Sequence, residues 1–291
     1  MSEPYGARTP GFVDRAVIAA TGSLPNNWLG LRLAIGLRLA IGLRRIVTMR
    51  LNGDEGLDVK HWGLRLRLHP RRNGCEKGVL FTPQMYEAEE REELFADIDK
   101  AKADGRVFQF VDIGANVGLF SFLVASRASA SAKILAIEPE LENLARMRFN
   151  IAANAGIPIR VLPIALGEHA GTVALEIDRR DKGGTFTRPL NNDEGASVTV
   201  ECRPLLDVLR QEGVQHIDAL KIDVEGMEDK ILMAFFNEAP SSLWPSLIIV
   251  EDTRDLWSGD LFAYLGERGY TVARRSKLNA MMRRNAQGSV S

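Results

Sequence analysis

The chain has little of what several functions would require. Cysteine occurs only at Cys75 and Cys202, and histidine only at His61, His69, His169 and His216. Neither set has metal-ligand spacing, so no structural zinc site follows from the cysteines and no Cys-x-x-Cys redox motif exists. The isolated cysteines read as inert packing residues of a reducing compartment. Aromatic residues make up 7% of the chain and do not interleave with basic ones as a base-stacking platform needs. A formal net charge of -1 gives no further reason to expect nucleic acid. Residues 1–28 lack the charged start, apolar block and cleavage site of a secretory leader. The apolar stretch Leu29–Val47 is too interrupted by arginine to span a bilayer. Acidic residues are missing from Ala16 to Gly53, where Arg32, Arg38, Arg44, Arg45 and Arg50 stand. A cytoplasmic protein is expected, with a weak peripheral contact to anionic lipid left open for residues 29–50.

What is present is ordinary for a soluble enzyme: 291 residues, 45% apolar and 26% charged. The organising stretch is Phe110-Val111-Asp112-Ile113-Gly114-Ala115-Asn116-Val117-Gly118. An apolar run ends in an acid, and paired glycines bracket a turn before a helical pattern begins. This is how a buried parallel strand hands over to a helix beside a nucleotide-like ligand. Gly114 permits the sharp turn, Gly118 lets the helix start pack near the sheet, and Asp112 is expected to aim an acceptor into the crevice. Lys133–Glu138 is a second apolar strand ending in an acid, where Glu138 can accept from the hydroxyls of a ribose. That placement suits NAD and S-adenosylmethionine equally. The glycines decide, because a dinucleotide fingerprint needs Gly-x-Gly-x-x-Gly and Asn116 occupies its middle position. A third strand, Ala219-Leu220-Lys221-Ile222-Asp223, runs into Val224-Glu225-Gly226 and a helix from about Glu228.

Together, Val-Asp-Ile-Gly-Ala-Asn-Val-Gly, Ile-Glu-Pro and Lys-Ile-Asp-Val-Glu-Gly-Met-Glu resemble the FkbM family of S-adenosylmethionine-dependent methyltransferases, over roughly residues 80–275. Leu206-Asp207 resembles that family's Leu-Asp pair. The resemblance implies an α/β, class I Rossmann-like fold: a mostly parallel seven-stranded sheet with helices on both faces, plus an N-terminal extension. It implies cofactor contacts from Asp112, Gly114, Asn116, Gly118, Glu138, Pro139, Ala165 and Asp223, with Asp223 and Glu225 as the catalytic acids. It implies methyl transfer to oxygen of a small-molecule or carbohydrate acceptor, such as a sugar, glycolipid or natural product. Transfer to nitrogen or carbon, or a non-catalytic binding or membrane-associated module, stay as alternatives. The Asp/Asn-Pro-Pro-aromatic turn of enzymes that methylate amino groups on bases is replaced here by Asp-Val-Glu-Gly. Glu251 and Asp252 are weaker candidates for the base. Nothing in the spacing of Asp223, Glu225 and Glu251 demands a metal.

The remaining expectations concern organisation. Residues 1–80 form an accessory region, 81–275 the catalytic domain and 276–291 a basic, fraying tail. The hexad Leu-Arg-Leu-Ala-Ile-Gly occurs twice in succession at 31–42 and leans toward helix. Trp62–His69 reads as a strand with Arg65 and Arg67 on a wet face. Glu87–Ala103 reads as an acid-rich helix whose charge run is a solvated face, with Tyr86 and Glu90 at the cofactor's edge as the weaker reading. Asp181–Gly195 reads as an acceptor-binding lid, and Leu256–Arg268 as a helix.

Overall fold

The computed structural model describes residues 3–22, 38–51, 55–71, 73–177, 185–188 and 198–285. The chain divides into two compact units. The first comprises Met1–Ala88, Arg146–Gly156 and Asp178–Gly183. It contains helices α1 (Phe12–Gly22) and α2 (Arg38–Arg50), a hairpin of β1 (Leu57–His61) and β2 (Leu64–Leu68), and α3 (Gly74–Phe81). The second hexad copy is thus helical from Arg38 on, whereas the first lies outside the described residues. Trp62 and Gly63 make the hairpin turn with φ of 54° and 78°, the paired left-handed geometry that matches strand twist.

The arginine alternation in this hairpin deceives. Arg65 is exposed as expected, but Arg67 is buried. Its guanidinium grips Asp58 through Nε at 2.7 Å and Nη2 at 2.9 Å and lies over the Phe149 ring at 4.1 Å. Asp58 in turn accepts from the backbone of Gly6 and Arg8, so the pair ties down the start of the chain. Burying a charge is tolerable because every oxygen of Asp58 is satisfied. A second buried pair, Arg146 to Glu76 at 2.7 Å, serves the same unit. Cys75 is exposed, against the expectation of packing; Cys202 is buried.

The second unit holds α4 (Ala88–Ala103), β3 (Phe108–Ile113), α5 (Leu119–Ala128), β4 (Ala132–Ile137), α6 (Leu141–Ala152, counted with the first unit from Arg146) and β5 (Ile159–Leu162). Pro163 ends β5, and the chain continues into β6 (Ala165–Leu166), β7 (Gly171–Ile177), β8 (Thr185–Arg188) and β9 (Val198–Arg203). These last four make a separate sheet in the order β6-β9-β7-β8. Of the expected lid, Thr185–Arg188 is this strand β8, and the rest lies outside the described residues. Then come α7 (Leu205–Gln211), β10 (Ala219–Ile222), α8 (Glu228–Glu238), β11 (Leu247–Glu251), α9 (Leu261–Gly266), β12 (Tyr270–Arg275) and β13 (Asn279–Arg284).

The main sheet has seven strands in the order β12-β13-β11-β10-β3-β4-β5. All neighbours from β5 to β11 pair in parallel, and β13 alone runs against β11 and β12. This is the mostly parallel α/β sheet the motifs implied. The parallel strands β3, β4, β10 and β11 are almost wholly buried, as strands covered on both faces must be. The winding reverses between β3 and β10, and ligands of such sheets bind beyond the strand ends at that reversal.

Two readings of the C-terminal part change. The supposed tail contributes β13, because Arg283 is fixed by Glu93 and Asp97 of α4 at 2.7 and 2.9 Å, and Asn279 by Glu90 at 2.8 Å. The acid-rich helix and the basic strand neutralise each other. The helix expected from Leu256 starts only at Leu261, capped by Asp260, whose Oδ1 accepts from Ala263 N at 3.0 Å. The preceding residues are held instead by α8: Asp229 accepts from Ser258 N and Gly259 N at 2.7 and 3.0 Å.

Candidate active site at the carboxyl edge of the sheet

The turn after β3 is built by three left-handed positions: Gly114 at φ 70°, Asn116 at 53° and Gly118 at 81°. Gly114 is irreplaceable on two grounds. Its φ disfavours any side chain, and a Cβ there would stand 1.8 Å from the carbonyl oxygen of Asp223. The ends of β3 and β10 are therefore in direct backbone contact, with Asp223 N donating to Ile113 O at 3.1 Å. Asn116 is among the few residues besides glycine that tolerate its conformation, and its Oδ1 accepts from Val117 N at 2.8 Å.

Asp112 does not aim into the crevice. It is fully buried, and its Oδ2 accepts from Ser121 N at 3.1 Å and Ser121 Oγ at 2.7 Å, capping the first turn of α5. Oδ1 is buried with no hydrogen-bond partner among the described residues. Burial raises its proton affinity, and the nearby Lys221 ammonium works against that rise.

Glu138 leans back onto the glycine turn. Oε2 accepts from Asn116 N at 2.8 Å, and Oε1 from Glu140 N at 2.9 Å. Burial pushes its carboxyl up to about 7, despite these hydrogen bonds. The acid thus fixes the left-handed Asn116, and its carboxylate has more lone pairs than these bonds use. Pro139 follows it, half-buried, and Ala165 is buried in β6, paired with Cys202 of the second sheet.

The β10 side is arranged differently. Lys221 stands in register with Asp112 of β3 and two residues before Asp223, so their side chains share one face. Its Nζ donates to Asp223 Oδ2 at 2.8 Å and lies 5.1 Å from the Phe120 ring centroid, with only 7% of the side chain exposed. This buried lysine received no role from the sequence, although a cation inside an otherwise apolar central strand was the available clue. Asp223 keeps 37% of its side chain exposed. Glu225 follows in a left-handed conformation at φ 57°, a strained state for glutamate of the kind that gathers at functional sites.

Two further acids matter more than their sequence positions suggest. Glu228 is fully buried and accepts from Val224 N at 2.8 Å, Gly226 N at 3.0 Å, Thr253 Oγ1 at 2.9 Å and Trp257 Nε1 at 2.8 Å. It shapes the turn after β10 and anchors the one after β11. Glu251 ends β11 beside Asp223, and its carboxyl is within hydrogen-bonding reach of that neighbour. Burial first, then the Asp223 and Glu225 carboxylates, push Glu251 up to about 8. Its Oε2 is buried, and no donor reaches it among the described residues. Glu90, expected near this edge, binds Asn279 of β13, which pairs with Glu251 in register. No cluster suited to a metal ion occurs among the described residues.

Comparison with known proteins bears on this edge directly. The sequence profile of the methyltransferase FkbM domain matches residues 112–272, spanning the acids and glycines just described. Methyltransferase sdnD of Sordaria araneosa is 29% identical over 228 residues, covering 60% of this chain and 87% of that protein. The antimetabolite synthetase AmbE of Pseudomonas aeruginosa is 26% identical over 236 residues, covering 67% of this chain but only 10% of AmbE. The solved methyltransferase FkbM of Methylobacillus flagellatus KT overlaps with a TM-score of 0.40 at 18% identity, over 60% of this chain and 42% of that one. With so partial an overlap, the fold assignment rests on the strand order itself.

Proposed function

The chain belongs to the FkbM methyltransferase family, and on that premise we propose that it moves the methyl group of S-adenosylmethionine onto a hydroxyl of a sugar, glycolipid or natural-product acceptor. The observation that carries the reading is the joining of the Gly114–Gly118 turn, Glu138 and Asp223 at the winding reversal of the sheet. The residues present fit the cofactor: a turn too tight for a Cβ at Gly114, a strand-end carboxylate with unused lone pairs at Glu138, and a partly exposed acid at Asp223. A pyrophosphate cradle is not what this turn offers, since a side chain stands at Asn116. When bound, the cofactor supplies a methyl group on a sulfonium, open to in-line displacement.

The protein's part is positioning and proton management. Glu138 orients the ribose end, and the Gly114–Gly118 turn supports the body of the ligand. Asp223, paired with Lys221 at 2.8 Å, places its carboxylate near the cationic end. Glu225 stands on the acceptor side in its constrained turn. The antimetabolite synthetase among the relatives favours a natural-product acceptor.

Calorimetric titration with S-adenosylhomocysteine, beside NAD, tests the cofactor. Saturable binding of the first alone is expected, followed by transfer from labelled S-adenosylmethionine to a panel of hydroxylated acceptors. A folded protein that binds neither ligand would overturn the reading.

A further inference from the structure

Besides Glu225 in its left-handed turn, five acids stand along the carboxyl edge from β4 to β11, and four of these are already committed. Asp112 caps Ser121 inside the protein. Glu138 holds Asn116 and Glu140. Glu228 is saturated by donors from Val224, Gly226, Thr253 and Trp257. Asp223 has one oxygen committed to the Lys221 ammonium at 2.8 Å. Glu251 differs. It ends the strand next to β10 beside Asp223, and, unlike the wholly buried Asp112 whose Oδ1 also lacks a donor, it is only half-buried while carrying an oxygen that no donor satisfies among the described residues. A buried, unsatisfied acceptor is costly, so it calls for a donor from a ligand.

We propose that Glu251 is the catalytic residue that takes the proton of the acceptor hydroxyl, and that Lys221 acts as the positioning residue that holds the Asp223 carboxylate beside it. The inference rests on the methyltransferase reading above. The step balances simply. A lone pair of the acceptor oxygen forms the new O–C bond, the S–C bond breaks with its electrons remaining on sulfur, and the O–H proton passes to Glu251. Asp223 contributes through its charge: an anion at hydrogen-bonding distance makes the proton on Glu251 more stable. The other groups around Glu251 act in the same direction or are neutralised. Glu225 and Glu228 face it from the turn and from α8. Asn279 stands opposite on β13 and carries Glu90, whereas Asp252 is paired with Arg254 and Arg275. The raised affinity of Glu251, about 8, puts its working range just above neutral pH.

Two readouts on the full-length protein test this. In protein labelled with carbon-13 at the glutamate carboxyl, NMR should show a signal with a midpoint near 8. It should be absent in Glu251→Gln and displaced downward by about one pH unit or more in Asp223→Asn. Transfer from labelled S-adenosylmethionine to a panel of monosaccharides should fall about 10²–10⁴-fold in Glu251→Gln and lose its acid limb. Glu251→Asp should keep a limb at reduced rate, and S-adenosylhomocysteine affinity should change by less than about threefold in either variant. An unchanged rate and limb in Glu251→Gln, or no high-midpoint signal lost with it, would overturn the inference alone. A folded wild-type protein unable to bind S-adenosylhomocysteine would overturn the methyltransferase reading first, and this inference with it.

Discussion

The two halves of the carboxyl edge use the same residue type in opposite ways. On the β3–β4 half, Asp112 gives one oxygen to Ser121 and Glu138 gives both of its oxygens to backbone donors, and together they shape the turn. On the β10–β11 half, Asp223 is balanced by a lysine and Glu251 has an oxygen with no donor among the described residues. An acid at a strand end is therefore not one functional category. Where it is shut inside and holds backbone or serine donors it is scaffold, and where it is only half-buried and crowded by like charge it is poised to exchange protons.

The sharpest way to break the comparison is Gly114→Ala, which would act on both halves at once. Its Cβ would meet the Asp223 carbonyl oxygen at 1.8 Å. We expect a loss of about 4 kcal/mol or more in denaturant unfolding, because backbone must move on both strands. Lys221→Met comes next. It leaves buried Asp112 uncompensated and Asp223 without its partner, and a loss of about 3 kcal/mol is expected, recovered in part by lowering the pH. Glu138→Ala should reduce S-adenosylhomocysteine affinity by about 10–100-fold, the worth of hydrogen bonds to a charged group, in a protein that still folds.

The pH dependence of the ligand-free protein sharpens the same contrast. Glu138 has its affinity raised from 4.5 to about 7, so the folded state binds more protons than the unfolded state between those values. Its contribution to stability is complete below 4.5 and is lost as pH rises through about 7. Glu138→Gln should flatten that part of the stability curve, as read by thermal unfolding across pH. The smallest effect belongs to Ser121→Ala. It removes one of two donors to Asp112 while the Ser121 amide remains, and about 1 kcal/mol is expected.

Much of this was legible in the chain because parallel strands buried on both faces read as largely apolar runs. Phe108–Ile113, Ala132–Ile137 and Ala219–Ile222 each announce themselves that way, and the acid or glycine that follows marks the strand end. The failures share a different cause, since partners distant in sequence decide them. Asn279–Arg284 reads as a basic tail until Glu90, Glu93 and Asp97 stand beside it. Arg67 shares its alternation with exposed Arg65 and differs only in having Asp58 opposite. Lys221 breaks an apolar strand, but its meaning depends on Asp112 lying in register across a winding reversal. Type and place of the site acids could be read locally. Which oxygens were already occupied could not, because the donors come from Ser121, Asn116, Thr253 and Trp257 on other turns.

The division of labour along the edge is tested most directly by one calorimetric series: S-adenosylhomocysteine titrated into wild type, Glu138→Ala and Glu251→Gln at one pH. The account predicts that Glu138→Ala loses about 10–100-fold in affinity while Glu251→Gln stays within about threefold of wild type. Full affinity in Glu138→Ala together with lost affinity in Glu251→Gln would contradict it.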